Sequence, residues 1–370
     1  MASRSAATPP TPLLNAADPS ASDAPCPVEP NAAIRRPAHW IDLHPAAADL
    51  RQLVRAGLAR RPRQLPAWLL YDAEGSRLFE AITEQPEYTL TRVETALLDQ
   101  RSAAMAQAMA TGLSGAPVLV EFGAGNLRKV SPLLRALGPA AFAALDISAD
   151  HLAAACGVLQ QAHPSLPVLG VCCDYSQLDA LPDHPLLTDR PRLGFYPGSS
   201  LGNFDPGEAR ALLARFRRLL GPQGRLLIGI DQPRAVALME AAYDDAAGVS
   251  AAFALNLLHR LNRELDGDFD PDAFRYEAWW EEEHSRIAMA LVSRHTQSVG
   301  LAGAHWPFVQ GEPLISEFSV KYTPEAFRAL AGSAGWLPLA RWSDPGGQLS
   351  LHLLDQADSV DQRAESHHEP

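Results

Sequence analysis

APVLVEFGAGNLRKVSPLLRALGPAAFAALDIS, residues 116–148, reads as an apolar strand, a glycine turn, a helix and a second strand that ends in an acid. Apolar runs without alternation suit strands that helices cover on both faces. The rhythm continues outward. HLAAACGVLQQA (151–162) has helical spacing, and LPVLGVCCDYS (166–176) is a third strand, again ending in Asp. RLGFYPGSSLGNF (192–204) gives a fourth strand and a loop; EARALLARFRRLLGPQG (208–224) is an amphipathic helix closed by glycine, and RLLIGID (225–231) a fifth strand. Strands alternating with helices require a parallel sheet with right-handed crossovers. Near the C-terminus, PEAFRALAGSAGW (324–336) is a helix, and residues 336–354 form a strand, a turn and a final strand, an antiparallel edge to the sheet.

Two blocks break the alternation. Residues 38–92 look helical and loop-like, and residues 233–317 hold a long helix (ALNLLHRLNREL, 254–265) followed by the strand-like RYEAWWEEEHSRIAMALVSRHTQSV (275–299). They are expected to form a substrate-binding α+β domain over the C-terminal edge of the sheet, where open α/β folds take ligands. Residues 93–232 and 318–356 are then the main domain. Residues 1–37, rich in Ala, Pro and Ser, and residues 357–370 read as disordered tails.

At 370 residues and 47% hydrophobic content, the chain has enough apolar side chains for a large core. A net charge of −12 argues against a general polyanion binder, so no nucleic-acid partner is expected. No apolar run reaches membrane-spanning length, and the Arg35–Arg36 pair is followed by no apolar segment that would make it a secretory signal. The four cysteines, Cys26, Cys156, Cys172 and Cys173, have neither metal-ligand spacing nor a secreted context. A cytoplasmic enzyme without a metal, working as a monomer, is the expectation. Of the 31 basic residues only two, Lys129 and Lys321, are lysines. In a chain that uses Arg so freely, a surviving ammonium invites a special role.

The cofactor site is sought at the strand ends. Gly123 and Gly125 of EFGAGN (121–126) let the backbone approach a ligand closely. Asp146 stands where an acid reaches both hydroxyls of a ribose, and Asp174 with Tyr175 where an adenine amino group and ring would lie. A group at each of three strand ends is the pattern of enzymes using S-adenosylmethionine. Asp146 could instead only cap the helix that follows. A nicotinamide site is disfavoured by the missing third glycine.

Several longer segments together resemble one family, the histidine Nα-methyltransferases of ergothioneine biosynthesis. They are YDAEGSRLFEAITEQPEYTLTRVE (71–94), VEFGAGNLRKV (120–130), FYPGSSLGNFDP (195–206), AAYDDAAGVSAAFALNLLHRLNRELDGDFD (241–270), RIAMAL (286–291) and LISEFSVKY (314–322). The resemblance implies a Rossmann-like class I S-adenosylmethionine-dependent methyltransferase sheet with an inserted α+β substrate domain. Gly123, Gly125, Lys129, Asp146, Asp174 and Tyr175 would then hold S-adenosylmethionine. It also implies that Asn203 and Tyr243 bind the carboxylate of free L-histidine, while Tyr71 and Tyr88 line its amine. Glu317 and Ser319 would read the two imidazole nitrogens, with Met289 as an apolar wall. Glu317 and Ser319, two apart on a strand, share a face. Taken singly, each of these residues also has a packing or turn reading. Asn126 stands where the family more often has Ser or Thr, and Lys321 is expected to make a structural ion pair. Rival readings are a methyltransferase of another amine, such as tryptophan, and a non-catalytic protein that keeps the fold.

Overall fold

In the computed structural model, residues 36–43 and 47–356 are described. The expected tails, with Cys26, His367 and His368, lie outside the described residues except for residues 36 and 37. In chain order the first elements are β1 (His39–Asp42), α1 (Ala47–Ala59), β2 (Arg63–Gln64), α2 (Ala73–Thr83) and α3 (Leu90–Ala110). The alternating block then gives β3 (Val118–Phe122), α4 (Ser131–Leu137), β4 (Ala141–Asp146), α5 (Ala149–Ala162), β5 (Val168–Cys172) and β6 (Arg192–Tyr196). It closes with α6 (Pro206–Leu220) and β7 (Arg225–Asp231). Next come α7 (Val236–Tyr243), α8 (Val249–Leu265), β8 (Phe274–Glu281), β9 (Arg286–Ser293), β10 (Gln297–Leu301), β11 (Ala304–Phe308) and β12 (Pro313–Val320). The described chain ends in α9 (Pro324–Ser333), β13 (Trp336–Ser343) and β14 (Leu349–Gln356).

Eight strands form one sheet in the order β1-β5-β4-β3-β6-β7-β14-β13, parallel through β7 and antiparallel at β14 and β13. This is the methyltransferase-type sheet expected from the alternating sequence. Side chains alternate across it, as strand geometry demands. In β4, Phe142 and Ala144 pack with the cluster that holds Leu97 and Met105 of α3, while Ala143 and Leu145 pack on the face that holds Phe216 of α6 and Phe327 of α9. Both faces are covered, which is why β3 is buried at every position. The order turns back between β3 and β6, so a crevice opens above their C-terminal ends, the usual ligand position in such sheets.

A second, four-stranded sheet runs β2-β12-β9-β8. Two features depart from the expected division of the chain. β1 pairs in parallel with β5 and belongs to the large sheet, although residues 38–92 were assigned to the substrate domain. β12 runs to Val320, past the boundary placed at residue 317, because its pairing with β9 continues through Val320 and Arg286. One apolar cluster joins Leu119 and Leu227 of the large sheet to Leu291 and Leu314 of the small one, so the two layers share a core. The hairpin β10–β11, inside the inserted block, had no separate sequence reading. No described helix is long and apolar enough to cross a membrane.

Candidate functional site

A cleft of about 630 Å³, counting its open mouth, lies between the two sheets and the helices over them. All seven residues assigned to the amino acid line it: Tyr71, Tyr88, Asn203, Tyr243, Met289, Glu317 and Ser319.

Each reaches the cleft for a local reason. Tyr71 precedes Asp72, the N-cap of α2, whose carboxylate accepts from Gly75 N at 2.8 Å, Asn256 Nδ2 at 2.7 Å and Arg263 at 2.6 Å. The cap ties the start of α2 to α8, and the Tyr71 ring then stands edge-on to Phe79 and Phe253 at 5.5 and 5.3 Å. Tyr88, in the turn before α3, stands edge-on to Tyr243 at 6.0 Å. Burial pushes the hydroxyl pKa values of Tyr71 and Tyr88 well above the usual phenol range, with Glu317 adding to the shift of Tyr71 and Tyr243 to that of Tyr88. Both are neutral phenols at physiological pH.

Asn203 ends a single 3₁₀ turn after β6. A Cβ on Gly202 would lie 2.6 Å from the carbonyl oxygen of Val320, so only glycine lets this turn press on β12. Across that contact Asn203 Nδ2 donates to Glu317 Oε1 at 2.8 Å. The residue expected at the ligand carboxylate and the residue expected at the imidazole are therefore hydrogen-bonded to each other before any ligand arrives. Glu317 pairs across the strands with Met289. An irregularity in the pairing between Ile315 and Glu317 lets Ser316 line the cleft as well, an addition that strict alternation hides. Burial pushes the Glu317 carboxyl up to about 8, with Lys321 opposing the shift. Tyr243 Oη and Ser319 Oγ are 2.8 Å apart, and Lys321 Nζ donates to both, at 2.6 and 2.9 Å, and to Asp231 Oδ2 at 2.6 Å. Lys321 does make the expected ion pair, but its other two protons go to hydroxyls of the site.

Asp146 closes β4, the other five cofactor candidates lie on the loops after β3 and β5, and none of the six is among the residues lining this cleft. Asp146 gathers the loop, accepting from Gly125 N at 2.9 Å and Ser148 N at 3.0 Å. A Cβ on Gly123 would stand 3.3 Å from Tyr175 Oη, so the glycine lets the tyrosine close on the backbone, while the space beside Gly125 is open. Tyr175 packs one side of its ring against Phe122, Tyr196 and Phe216. Asp174 borders a separate, mainly apolar hollow with Leu50, Leu53 and Trp68. Asn126, the polar residue of the loop, donates to Glu80 of α2 at 3.1 Å. Lys129 pairs at 2.7 Å with Glu94, which is fully buried on α3 and accepts from Gly198 N at 2.9 and 3.0 Å. The cofactor loop and the loop carrying Asn203 thus share one buried carboxylate.

Sequence reading missed Glu94, Asp231 and Tyr276. Tyr276 lines the cleft and donates to the Tyr243 carbonyl oxygen at 2.7 Å; its place on the cleft face of β8 follows from alternation in RYEAWWE. Glu94 carries the faint signal of an acid among apolar helix positions. Asp231, at the end of RLLIGID, reads only as a strand terminus. Among the described residues, no three His, Cys, Asp or Glu side chains converge as a metal site would require.

Residues 50–356 match the profile of the family described as histidine-specific, SAM-dependent methyltransferase. The chain is 38% identical to the histidine N-alpha-methyltransferase of Mycolicibacterium smegmatis over 85% of its own length and 98% of that protein. To the histidine N-alpha-methyltransferase of Mycobacterium tuberculosis it is 36% identical, over 82% of this chain and 94% of the relative. It is also 30% identical to ergothioneine biosynthesis protein 1 of Neurospora crassa, over 79% of this chain but 33% of that longer protein. The chain belongs to the family of histidine-specific, S-adenosylmethionine-dependent methyltransferases.

Proposed function

We propose that the protein transfers methyl groups from S-adenosylmethionine to the α-amino group of free L-histidine, three times, giving the betaine hercynine for ergothioneine biosynthesis. The observation that carries this reading is the wall of the cleft formed by Glu317, Ser319 and Met289. One buried carboxyl, one hydroxyl and one apolar side chain meet there, a combination suited to a flat ring with a nitrogen at two edges. An indole, with a single N–H, would leave a buried polar group unpaired, which costs about 1–3 kcal/mol. The names of the bacterial and fungal relatives point the same way.

The strand-end loops fit the cofactor. Asp146 is placed for the ribose hydroxyls, and Asp174 with its apolar hollow for the adenine. The open space beside Gly125 and the remaining protons of Lys129 suit the amino-acid end. Bound there, S-adenosylmethionine supplies a methyl group on a sulfonium, open to in-line attack by an amine. The protein's part is to orient the amine toward the methyl group. Asn203 and Tyr243 hold the carboxylate, Glu317 and Ser319 the ring, and Tyr71 and Tyr88 surround the amine. A phenol whose pKa is raised by burial is no base at neutral pH, so the amine proton leaves to water, while the phenol oxygens and ring faces accommodate growing positive charge. The four-stranded sheet with α2, α7 and α8 serves as the amino-acid-binding part. Buried thiols at Cys156, Cys172 and Cys173 suit a cytoplasmic enzyme.

Titration calorimetry with S-adenosylhomocysteine present tests the substrate assignment. Histidine is expected to bind and tryptophan to bind at least about tenfold more weakly, a gap of about 1.4 kcal/mol. Equal affinities would remove Glu317 and Met289 from the specificity account.

A further inference from the structure

Among the described residues, the lining of the cleft proposed for the amino acid holds no cation, and Glu317 is its one acid. Directly behind its wall, however, two cations converge on one carboxylate. Asp231 accepts from Lys321 Nζ through Oδ2 at 2.6 Å and from Arg234 through Oδ1 at 2.7 Å. Two positive charges against one negative leave the group with a surplus positive charge. The Lys321 side chain is completely buried, and Arg234 is mostly so. Burial disfavours the Lys321 ammonium, and the Asp231 carboxylate counters that effect. Asp231 is shared with Arg234, and Glu317 acts on Lys321 only through space, so the charge of the buried ammonium is answered only in part.

The hydrogen bonds state where the answer must come from. Lys321 has three protons, and all three are committed, to Asp231, Tyr243 Oη and Ser319 Oγ. Each hydroxyl therefore accepts from the lysine and keeps one proton of its own. The 2.8 Å contact between the hydroxyls uses one of those two protons. The other is left for the cleft, which both residues line. The wall thus offers an O–H donor backed by a buried ammonium, which is the complement of an anionic acceptor.

We propose that Lys321 is a positioning and specificity-determining residue: through the hydroxyl of Tyr243, which Ser319 helps to hold, it supplies the counter-charge for the carboxylate of the bound amino acid. This rests on the proposal that the cleft binds free histidine. It explains how a pocket of neutral donors selects an anion while keeping a cation away from the amine that must lose its proton. Lysine suits the place because its compact ammonium can donate in three directions, whereas a planar guanidinium cannot reach the same three oxygens.

The test is a binding cycle of two ligands and two proteins, read by calorimetry with S-adenosylhomocysteine present. L-Histidine is compared with L-histidinamide, which lacks the carboxylate charge, on the wild type and on Lys321→Gln, which keeps amide donors for the hydroxyls. The wild type is expected to prefer histidine by about tenfold to a hundredfold, and Lys321→Gln to lose most of that preference, with binding of S-adenosylhomocysteine changed less than about twofold. A merely structural lysine would weaken both ligands alike and leave their ratio intact, which overturns the proposal. Should Lys321→Gln fail to fold, the wild type alone decides: equal affinity for histidine and histidinamide also overturns it. If S-adenosylhomocysteine binds but neither histidine ligand does, the functional reading falls together with this one. Histidine binding with an unchanged ratio removes only the role of Lys321.

Discussion

Replacing Glu317 by alanine removes the one acid of the cleft and strands Asn203, whose amide donates to it at 2.8 Å. Two effects add. The ring of the ligand loses its acceptor, and a partly buried donor loses its partner. A hydrogen bond involving a charged group contributes about 1.5–3 kcal/mol, and a stranded donor costs about 1–3 kcal/mol. Against this stands the desolvation that pushes the Glu317 carboxyl up to about 8 and so weakens it as an anion in the empty cleft. The net loss should sit near the lower end, about 1.5–3 kcal/mol, which is a fall in histidine affinity of roughly tenfold to 150-fold. Calorimetric titration of histidine, with S-adenosylhomocysteine saturating, measures it directly. Affinity for S-adenosylhomocysteine should change less than about twofold, since Glu317 lies off the strand-end loops. Glu317→Gln, which keeps an acceptor for Asn203, should fall between. Unchanged histidine affinity in the alanine variant would refute the assignment of Glu317 to the ring.

Tyr71→Phe and Tyr88→Phe should each lower kcat by about threefold to tenfold, the value of one hydroxyl contact, and shift the ratio of mono-, di- and trimethylated product; unaltered rates and ratios in both variants would rule the phenols out. Asp146→Ala removes the acceptor for Gly125 N and Ser148 N, so affinity for S-adenosylhomocysteine should drop about tenfold or more, with histidine binding to the free protein affected less. Gly202→Ala would force a Cβ against the Val320 carbonyl oxygen, at 2.6 Å, at a cost of about 1–3 kcal/mol; thermal unfolding should show a lower Tm, and histidine should bind more weakly as Asn203 shifts. The protein should lose stability as pH rises from about 6.5 through 8, because the folded state holds the Glu317 proton after the unfolded chain, with its carboxyl near 4.5, has released it, while below that range buried His352, pushed down to about 4, opposes the trend. Denaturant titrations should find a shallower decline in Glu317→Gln, and equal slopes would contradict the buried acid.

The large sheet was legible because its strands are buried on both faces and its turns are marked by Gly123, Gly125 and strand-end acids; the hairpin of β13 and β14 was legible from its turn. Less of the cover could be read. The four residues of β1 are too short to carry a pattern, and only their pairing with β5 places them in the large sheet. α3 passed unread because exposed alanines and buried Glu94 blur the apolar contrast along it, although its buried positions, Leu90, Glu94, Leu97, Leu98, Met105 and Met109, do form one stripe. The amino-acid residues were found through longer motifs, since no single tyrosine or asparagine distinguishes itself from packing. Lys321 shows the limit. Its scarcity drew attention, yet its contacts with Tyr243, Ser319 and Asp231 depend on bringing together β7, α7 and β12, which no local pattern encodes.

The most direct test of the central claim is mass spectrometry of the purified protein with S-adenosylmethionine and an equimolar mixture of free amino acids. The account predicts that histidine alone gains methyl groups, up to three, all on the α-nitrogen. Methylation of another amino acid, or of the imidazole ring, would contradict it.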